Sequence, residues 1–474
     1  MIEKKRKVDN LPVDIVGQAY ELDSVNLSAQ VCKNLFVEVH PDGKTNKALI
    51  AWPGKKSFST GSGLNRGIMS HPWNSNVYVV NDTTLYKVGS DGTQTSIGTI
   101  AGTARCDMFA SASHVYVITD GVVYRTDGAT LSTVTDSDLE TPNAGAFLNS
   151  QIIYDGDSGR FVVSDAGDGS SIDGLNYATA EALPDDIIRP FVFDQVLYLC
   201  GERSIEPWYN SGVGSPPFDR IEGGLINVGI AGIFSITSTS QAVYFLGNDR
   251  TVYRLAGYNE QQISTIAINN AIESYGDVSD CIAMSLRWQG QAFVIFQFPS
   301  AGKTWAFNEM SQTWFELSSN GGRDLMNGYC YAFNKHLVTD YQTGNIYELD
   351  KSTYDENGDT LIRERVTRPI SGLDINKPGI RILLKRFEFI VETGVGLATG
   401  QGVDPVFIVS CSVDGGRTWQ DEQFISPGVM GDYTKKVEYF TFASGYEILI
   451  KIRVSDPIKV SIHAAGADIE THGY

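Results

Sequence analysis

The alternation of apolar and polar positions predicts short strands along most of the chain, most clearly in residues 291–317. Residues 292–298 are mostly apolar and aromatic, in a run too short to cross a membrane. A turn over residues 299–302 follows, and residues 303–307 then alternate in the way that is typical of a half-buried strand. A third strand carries Trp314 and Phe315. These three antiparallel strands form a meander, which needs similar neighbours to bury its faces.

A related unit recurs along the chain: an apolar strand with a central tyrosine, a polar turn and a second strand. The tyrosine positions are 78, 116, 154, 198 and 244, with spacings of 38, 38, 44 and 46 residues. Residues 291–317 form a sixth unit and residues 336–349 a seventh. A period of about 40–50 residues with several short strands is typical of a β-propeller blade. A run of hairpins in two or three β-sandwiches is the alternative, and the spacing favours the propeller.

Beyond residue 360 the predicted strands become longer, over residues 380–392, 405–413, 437–442, 447–454 and 459–463. Their alternation suits a β-sandwich with one solvated face. The chain is therefore predicted to be all-β, a six- or seven-bladed β-propeller followed by a C-terminal β-sandwich-like domain. We divide it into an N-terminal arm with first strands (1–60), the propeller (61–360) and the sandwich (361–474). The predicted helices are short, at residues 269–275 and 180–182.

Composition and charge limit the classes of fold and of binding partner that fit the chain. The 48 glycines, 22 tyrosines and 22 phenylalanines suit many short strands joined by tight turns. A net charge of −19 argues against tight nucleic-acid binding by phosphate neutralisation, and it suits a surface that DNA slides past. We expect buried free thiols from a reducing cytoplasm, because no CxxC pair occurs among the six cysteines: Cys32, Cys106, Cys200, Cys281, Cys330 and Cys411.

The N-terminus is basic at Lys4, Lys5, Arg6 and Lys7, which we interpret as a solvated arm. A nuclear-import or phosphate-binding patch is the alternative for so short a run. No apolar segment follows these residues, so we expect no signal peptide, and no stretch of the sequence is apolar enough to predict a membrane span.

Residues 412–419, Ser-Val-Asp-Gly-Gly-Arg-Thr-Trp, are the strongest single motif match. They resemble the Asp-box, a hairpin motif of sialidases and other propellers in which the aspartate binds turn amides and the tryptophan packs beneath. A sialidase would repeat the box and add an arginine cluster, a tyrosine nucleophile and acid/base carboxylates. Here the box occurs once, outside the predicted propeller, so we expect it to be structural.

Three other features have a structural interpretation. The acidic turns at residues 155–159 and 165–169 resemble calcium loops, but Ala166 and Asn176 stand where an EF-hand has its bidentate glutamate. The acidic stretch 355–359 is interpreted in the same way. The glycines of residues 394–400 lack a surrounding βαβ unit and predict a loop. We therefore predict no catalytic, cofactor-binding or metal-binding residues, no cofactor and no enzymatic activity.

Several segments, taken in series, resemble the packaged-DNA-stabilising tail-hub family of short-tailed bacteriophages. The resemblance runs from about residue 30 to residue 465, whereas the first twenty residues and the blade tips diverge. The order and spacing of these segments are more specific to the family than any one segment is. The residues that carry it are 34–38, 52–54, 296–305, Trp314, 344–350, 392–396 and 412–419.

The resemblance implies a non-catalytic ring of six copies in the virion tail, synthesised in the host cytoplasm and added below the portal and its adaptor ring. Such a ring would extend the DNA channel, help to retain the packaged genome, and anchor tail fibres or spikes and a needle or plug protein. Genomic DNA would pass its lumen without sequence-specific binding, and no membrane insertion is expected. We also predict that acidic residues outnumber basic ones on the lumen wall. A carbohydrate-active or glycan-binding β-propeller protein is the alternative function.

Overall fold

Short strands dominate the computed structural model, which describes residues 7–22, 24, 27–43, 45–180 and 185–471. The first residues of the basic arm, Lys4 to Arg6, lie outside these ranges, and Lys7 begins the first strand. The N-terminal segment contributes β1 (Lys7–Val13), β2 (Tyr20–Glu21), β3 (Ala29–Gln30), β4 (Cys32–Lys33), β5 (Leu35–Val39), β6 (Lys47–Ala51) and β7 (Gly54–Ser59).

The next strands form successive four-stranded antiparallel units, each with its first strand innermost. Blade 1 contains β8 (Asn65–Ser70), β9 (Val77–Asn81), β10 (Thr84–Val88) and β11 (Gln94–Thr99). Blade 2 contains β12 (Asp107–Ala110), β13 (Val115–Thr119), β14 (Val122–Thr126) and β15 (Leu131–Thr133). Blade 3 contains β16 (Gly145–Leu148), β17 (Gln151–Asp155), β18 (Arg160–Asp165) and the long outer strand β19 (Asp168–Thr179).

The same arrangement continues through three more blades. Blade 4 contains β20 (Ile187–Phe193), β21 (Val196–Gly201), β22 (Ile205–Asn210) and β23 (Phe218–Arg220). Blade 5 contains β24 (Ile236–Ser238), β25 (Val243–Leu246), β26 (Val252–Ala256) and β27 (Asn259–Gln262). Blade 6, the meander identified from the sequence, contains β28 (Ile282–Trp288), β29 (Gln291–Phe298), β30 (Lys303–Asn308) and β31 (Thr313–Glu316).

Blade 7 closes the ring with a strand from the other end of the chain. After the small hairpin β32 (Ser318–Ser319) and β33 (Gly322–Arg323) come β34 (Met326–Ala332), β35 (Lys335–Asp340) and β36 (Ile346–Asp350). Its fourth strand is β7, which pairs antiparallel with β36. The innermost strand β34 contacts β8 of blade 1, so the ring is complete. Six blades are separate sheets, and blade 6 continues at its outer edge into the C-terminal domain.

The tyrosines that reveal the repeat lie in the second strand of each of the first five blades and are buried. Tyr78 belongs to the same buried cluster as Val115 and Val117 of blade 2, and Tyr116 belongs to the same buried cluster as Tyr154 of blade 3. The polar turns between strands have the predicted chemistry: Asp120 and Gly121 both adopt positive φ, as a two-residue hairpin turn requires. The prediction of a β-propeller is confirmed.

The C-terminal domain consists of two sheets. Its strands are β37 (Arg363–Val366), β38 (Ile370–Ser371), β39 (Ile382–Val391), β40 (Phe407–Ser412), β41 (Gln420–Ile425), β42 (Val437–Phe440), β43 (Ser444–Gly445), β44 (Glu447–Val454) and β45 (Ser461–Thr471). One sheet runs from blade 6 in the order β31-β4-β37-β44-β40-β41, and the other runs β42-β39-β45-β6-β5. Strand β1 extends the second sheet by pairing with β45. The N-terminal strands therefore complete both sheets.

An aromatic cluster lies where the N-terminal segment, blade 6 and the sandwich meet. Trp52 is fully buried, and its ring lies edge-on to Phe293 with centroids 5.2 Å apart. Phe36 and Phe315 complete the cluster. Such rings supply much of the burial free energy of a core. The propeller and the sandwich therefore share one continuous hydrophobic core.

Helices are few, as predicted. Helix α1 (Ile266–Glu273) starts three residues before the predicted segment, because the Thr265 side chain caps it by accepting from Ile268 N. A 3-10 turn (Gly372–Ile375) was not predicted. Of the second predicted helix, Ala180 is irregular and the remainder lies outside the described residues. Across the described ranges, no helix is long and apolar enough to cross a membrane.

Candidate functional site

Buried charges join the closing strand of the propeller to the segment that leads into the sandwich. Lys55 of β7 is 1% exposed, and its Nζ lies 2.9 Å from Asp324 Oδ2 and in contact with Glu356 Oε1. Burial alone would lower the pKa of Lys55, but the two carboxylates outweigh it and raise the pKa above its usual value. Ser319 also donates to Glu356 Oε1, at 2.7 Å. The cluster therefore ties β7, the start of blade 7 and the linker together.

Two buried arginines lie at the start of the sandwich, next in the chain after this charge cluster. Arg363 donates to the carbonyl oxygen of Tyr354 at 2.7 Å, and burial lowers its pKa to about 10. Arg365 donates to the carbonyl oxygens of Ile15, Gln18 and Val31, at 2.8 to 3.1 Å. A guanidinium is suited to this role because its five N–H donors have a fixed fork geometry. Arg365 therefore anchors the N-terminal segment to β37.

The sequence analysis did not identify Lys55, Asp324, Arg363 or Arg365 as a buried cluster, and it interpreted Glu356 only as part of the acidic stretch 355–359. Lys55 and Lys56 are adjacent, and only Lys55 is buried, because strand residues alternate between faces. The Arg363-Glu364-Arg365 pattern did carry a signal, since its period of two places both arginines on one face. The carbonyl oxygens that Arg365 contacts lie more than 300 residues away in sequence, so no local pattern indicates that pairing.

The Asp-box forms the turn between β40 and β41. Asp414 accepts from Thr418 N at 2.9 Å and from Thr418 Oγ1 at 2.6 Å. These bonds, with one from Ser412, lower the pKa of Asp414 to about 2. Trp419 packs on the cluster of Ala29, Val366 and Leu449, and Lys451 Nζ lies 4.1 Å from its ring centroid. The motif stabilises a hairpin, and the Asp414 carboxylate is hydrogen-bonded within that turn.

The acidic turns also use their oxygens within the fold. Asp155 is buried and accepts from Asn143 N and Ala144 N at 3.0 and 2.7 Å. Burial raises its pKa to about 6 even though these bonds act in the opposite direction. Asp168 accepts from Arg125 and Ser170, at 2.9 and 2.7 Å. Within the part of the chain that the structure describes, no cluster of three or more His, Cys, Asp or Glu side chains is arranged to hold a metal ion.

The glycine loop and a cleft between blades 5 and 6 are the remaining candidate sites. Gly394 adopts positive φ and lies in the connection between β39 and β40, beside Tyr433. A cleft of about 430 Å³ lies between blades 5 and 6, and its lining includes the small polar side chains Ser238, Thr239, Ser240 and Ser285. Its one carboxylate, Glu309, accepts a 2.7 Å hydrogen bond from Tyr244. All six cysteines are buried and free.

The fold is a β-propeller joined to a β-sandwich, and the chain matches two family models in the same order. The model described as "Bacteriophage P22 Gp10, beta-propeller" matches residues 9–354. The model described as "Bacteriophage P22 Gp10, beta-sandwich" matches residues 375–470. The chain belongs to the bacteriophage P22 Gp10 family, a tail hub or nozzle family of short-tailed phages, as the resemblance in its sequence predicted.

Comparisons with individual proteins are much weaker. No curated protein matches the chain significantly. Among solved structures, BamB from Moraxella catarrhalis is 13% identical, with a TM-score of 0.40, over 73% of this chain and 99% of that one. YCF48 bound to D1 peptide is 9% identical, with a TM-score of 0.41, over 63% and 99%. The computationally designed Ika8 protein is 14% identical, with a TM-score of 0.39, over 72% and 99%. Likenesses this low carry no functional argument.

Proposed function

We propose that this chain is the subunit of a ring of six copies in the phage tail. The ring docks below the portal and its adaptor, extends the DNA channel, helps to retain the packaged genome and anchors fibres or spikes and a needle or plug protein. It acts without catalysis. Family membership across both domains is the observation that carries this proposal.

The rigidity of the fold supports such a mechanical role. The propeller is closed by a strand from the N-terminal segment, and its sheet edge at blade 6 continues into the sandwich. A part that resists the pressure of packaged DNA needs few hinges, and the shared core and the buried ion pairs join the propeller firmly to the sandwich. These features suit a channel component better than a mobile enzyme domain.

The charge supports a passage that DNA does not adhere to. Residues 60–354 contain 32 Asp and Glu against 15 Lys and Arg, a net charge of −17. Acidic walls repel phosphates and so oppose the counterion release that drives DNA binding. We propose that an excess of acidic residues faces the lumen of the ring.

The experiment is to add the purified chain to DNA-filled heads that lack it. Electron microscopy then scores additional density at the tail vertex, and a nuclease assay scores DNA released from the heads. We expect density on most heads and reduced DNA release. Heads that stay unchanged at every salt concentration tested would overturn the proposal.

A further inference from the structure

The far end of the sandwich exposes aromatic side chains at two open sheet edges. Strand β41 is the last strand of one sheet, and β42 is the last strand of the other. The edges meet where Gln423 Nε2 donates to Phe440 O at 2.5 Å. Phe424, Phe440 and Phe442, which we call the sandwich tip, are 67%, 56% and 81% exposed. Three exposed phenylalanines beside terminal strands form an apolar surface of the kind that protein partners cover.

A second apolar surface lies on blade 3. Asp173, Leu175 and Tyr177 of β19 are exposed, where the strand bulges between Ile172, which pairs with Ser164, and Tyr177, which pairs with Val162; Leu175 is 76% exposed. Asp138 lies beside this strand, next to Gly174. We call Asp138, Asp173, Leu175 and Tyr177 the blade 3 patch. The patch therefore combines exposed apolar side chains with two carboxylates.

The two surfaces lie on opposite sides of the molecule. The sandwich is attached to the outer edge of blade 6 through the pairing of β31 with β4. Among the seven blades of one propeller, blade 3 is three blades from blade 6 in one direction and four in the other. Blade 3 therefore lies on the far side of the propeller from blade 6. Two different surfaces, well separated on the subunit, are what a head-to-tail contact between identical subunits uses.

Charge favours this pairing over a contact between two propellers. Residues 60–354 carry a net charge of −17, whereas residues 361–474 contain 14 acidic and 13 basic residues, a net charge of −1. Exposed Lys435 and Lys436 directly precede β42, and the acidic residue of that strand, Glu438, is paired with Arg386 at 2.6 Å. The acidic residues of β41 are also paired, because Glu422 lies 3.5 Å from Arg453 and Asp421 accepts from Thr441 at 2.9 Å. On blade 3, the basic Arg160 is paired with Glu140, and its guanidinium lies 5.1 Å from the centre of the Tyr177 ring. The lysines of the tip thus complement the two aspartates of the blade 3 patch.

We propose that the sandwich tip of one copy of this chain binds the blade 3 patch of the next copy. The inference rests on the proposed ring and names the two surfaces that build it. Phe440 and Phe442 pack against Leu175 and Tyr177, while the lysines before β42 face the aspartates. The contact covers both open edges of the sandwich and leaves the centre of the propeller accessible.

Cysteine cross-linking on DNA-filled heads tests the pairing. Two separately purified variants, Phe442→Cys and Leu175→Cys, are mixed, added to the heads and oxidised. The native cysteines are buried and serve as an unreactive background. We expect mixed dimers to exceed each self-linked dimer by at least about tenfold. Ile266→Cys, on α1 and 64% exposed, replaces Phe442→Cys in the control and should yield no mixed dimer.

Association of the free chain supplies a second readout. The double variant Phe440→Ser and Phe442→Ser should weaken self-association at least about 30-fold, as loss of a central aromatic anchor does. The double variant Lys435→Glu and Lys436→Glu should weaken self-association about tenfold at low salt. Adding Asp173→Lys to that double variant should restore self-association. Ile266→Ser should behave as the parent chain.

The outcomes separate this inference from the proposed function. Rings that form on heads while the mixed dimer is absent, or while Phe442→Cys links mainly to itself, would overturn the pairing and leave the ring intact. Absence of any ring on the heads would overturn both.

Discussion

Replacing Lys55 by Met tests whether the buried charge cluster holds the closing strand in place. The substitution keeps an unbranched side chain, one heavy atom shorter, and removes its charge. Asp324 and Glu356, both buried, would then face each other without a cation. Removing one partner of a buried ion pair costs about 3–5 kcal/mol, because the remaining charge is left uncompensated. We expect Lys55→Met to lower the free energy of unfolding by an amount in this range.

The size of the thermal shift follows from the size of the chain. An unfolding entropy of about 2.1 cal/mol/K per residue gives about 1 kcal/mol/K for 474 residues if the chain unfolds as one unit. The expected loss then lowers Tm by about 3–5 °C. A larger shift, confined to a first transition, would indicate that blade 7 and the linker unfold before the rest.

The assay is scanning calorimetry at pH 7, with Lys56→Met as the matched control. Lys56 is the exposed neighbour on the same strand, so its replacement should change Tm by less than 1 °C, as surface substitutions do at about 0.5 kcal/mol or less. Adding Glu356→Gln to Lys55→Met should recover part of the loss. Equal Tm values for the Lys55 and Lys56 variants would refute the reasoning.

The pH dependence has a defined sign. Because the folded-state pKa of Lys55 is raised above its usual 10.5, its ion-pair contribution is complete below about pH 10.5 and is lost as pH rises further. The difference between parent and Lys55→Met should therefore be constant from pH 7 to pH 9.

Three further predictions concern the core, the N-terminal segment and blade 3. Trp52→Ala should cost about 3–5 kcal/mol in urea unfolding, because it removes a fully buried ring from the junction, whereas Trp73→Ala, at an exposed site, should cost far less. Arg365→Lys should speed proteolysis within residues 14–31, since an ammonium cannot bond all three carbonyl oxygens; an unchanged digestion pattern would contradict this role. The folded-state pKa of Asp155 is raised from 3.8 to about 6, so its protonated form stabilises the fold below pH 3.8 and this contribution is lost as pH rises through 6. The parent chain should therefore gain stability relative to Asp155→Asn between pH 7 and pH 5, as followed by Tm.

Local pattern predicted the blades because each blade is built from neighbours in sequence. Strand, turn and strand recur with a buried tyrosine at the same place, so the spacing of Tyr78 and Tyr116 is enough to mark their blades. The seven units found in the sequence correspond to the seven blades. The alternation within residues 382–391 likewise predicted a strand with one buried face.

Long-range pairing could not be predicted in this way. The pairing of β7 with β36 joins residues about 290 apart, and nothing within Gly54–Ser59 indicates that partner. The same limit applies to Lys55, because its carboxylate partners are supplied by distant loops. Strand β41 was also missed, since its residues, Gln420–Ile425, are mostly polar and exposed at a sheet edge.

The central claim is that this chain forms a ring at the tail vertex of a DNA-filled head. The most direct measurement is a cryo-electron microscopy reconstruction of such heads after addition of the purified chain, without symmetry imposed beforehand. The account predicts six propeller–sandwich subunits around the portal axis, with an open lumen continuous with the DNA channel. Subunits bound singly, or at sites away from that axis, would contradict it.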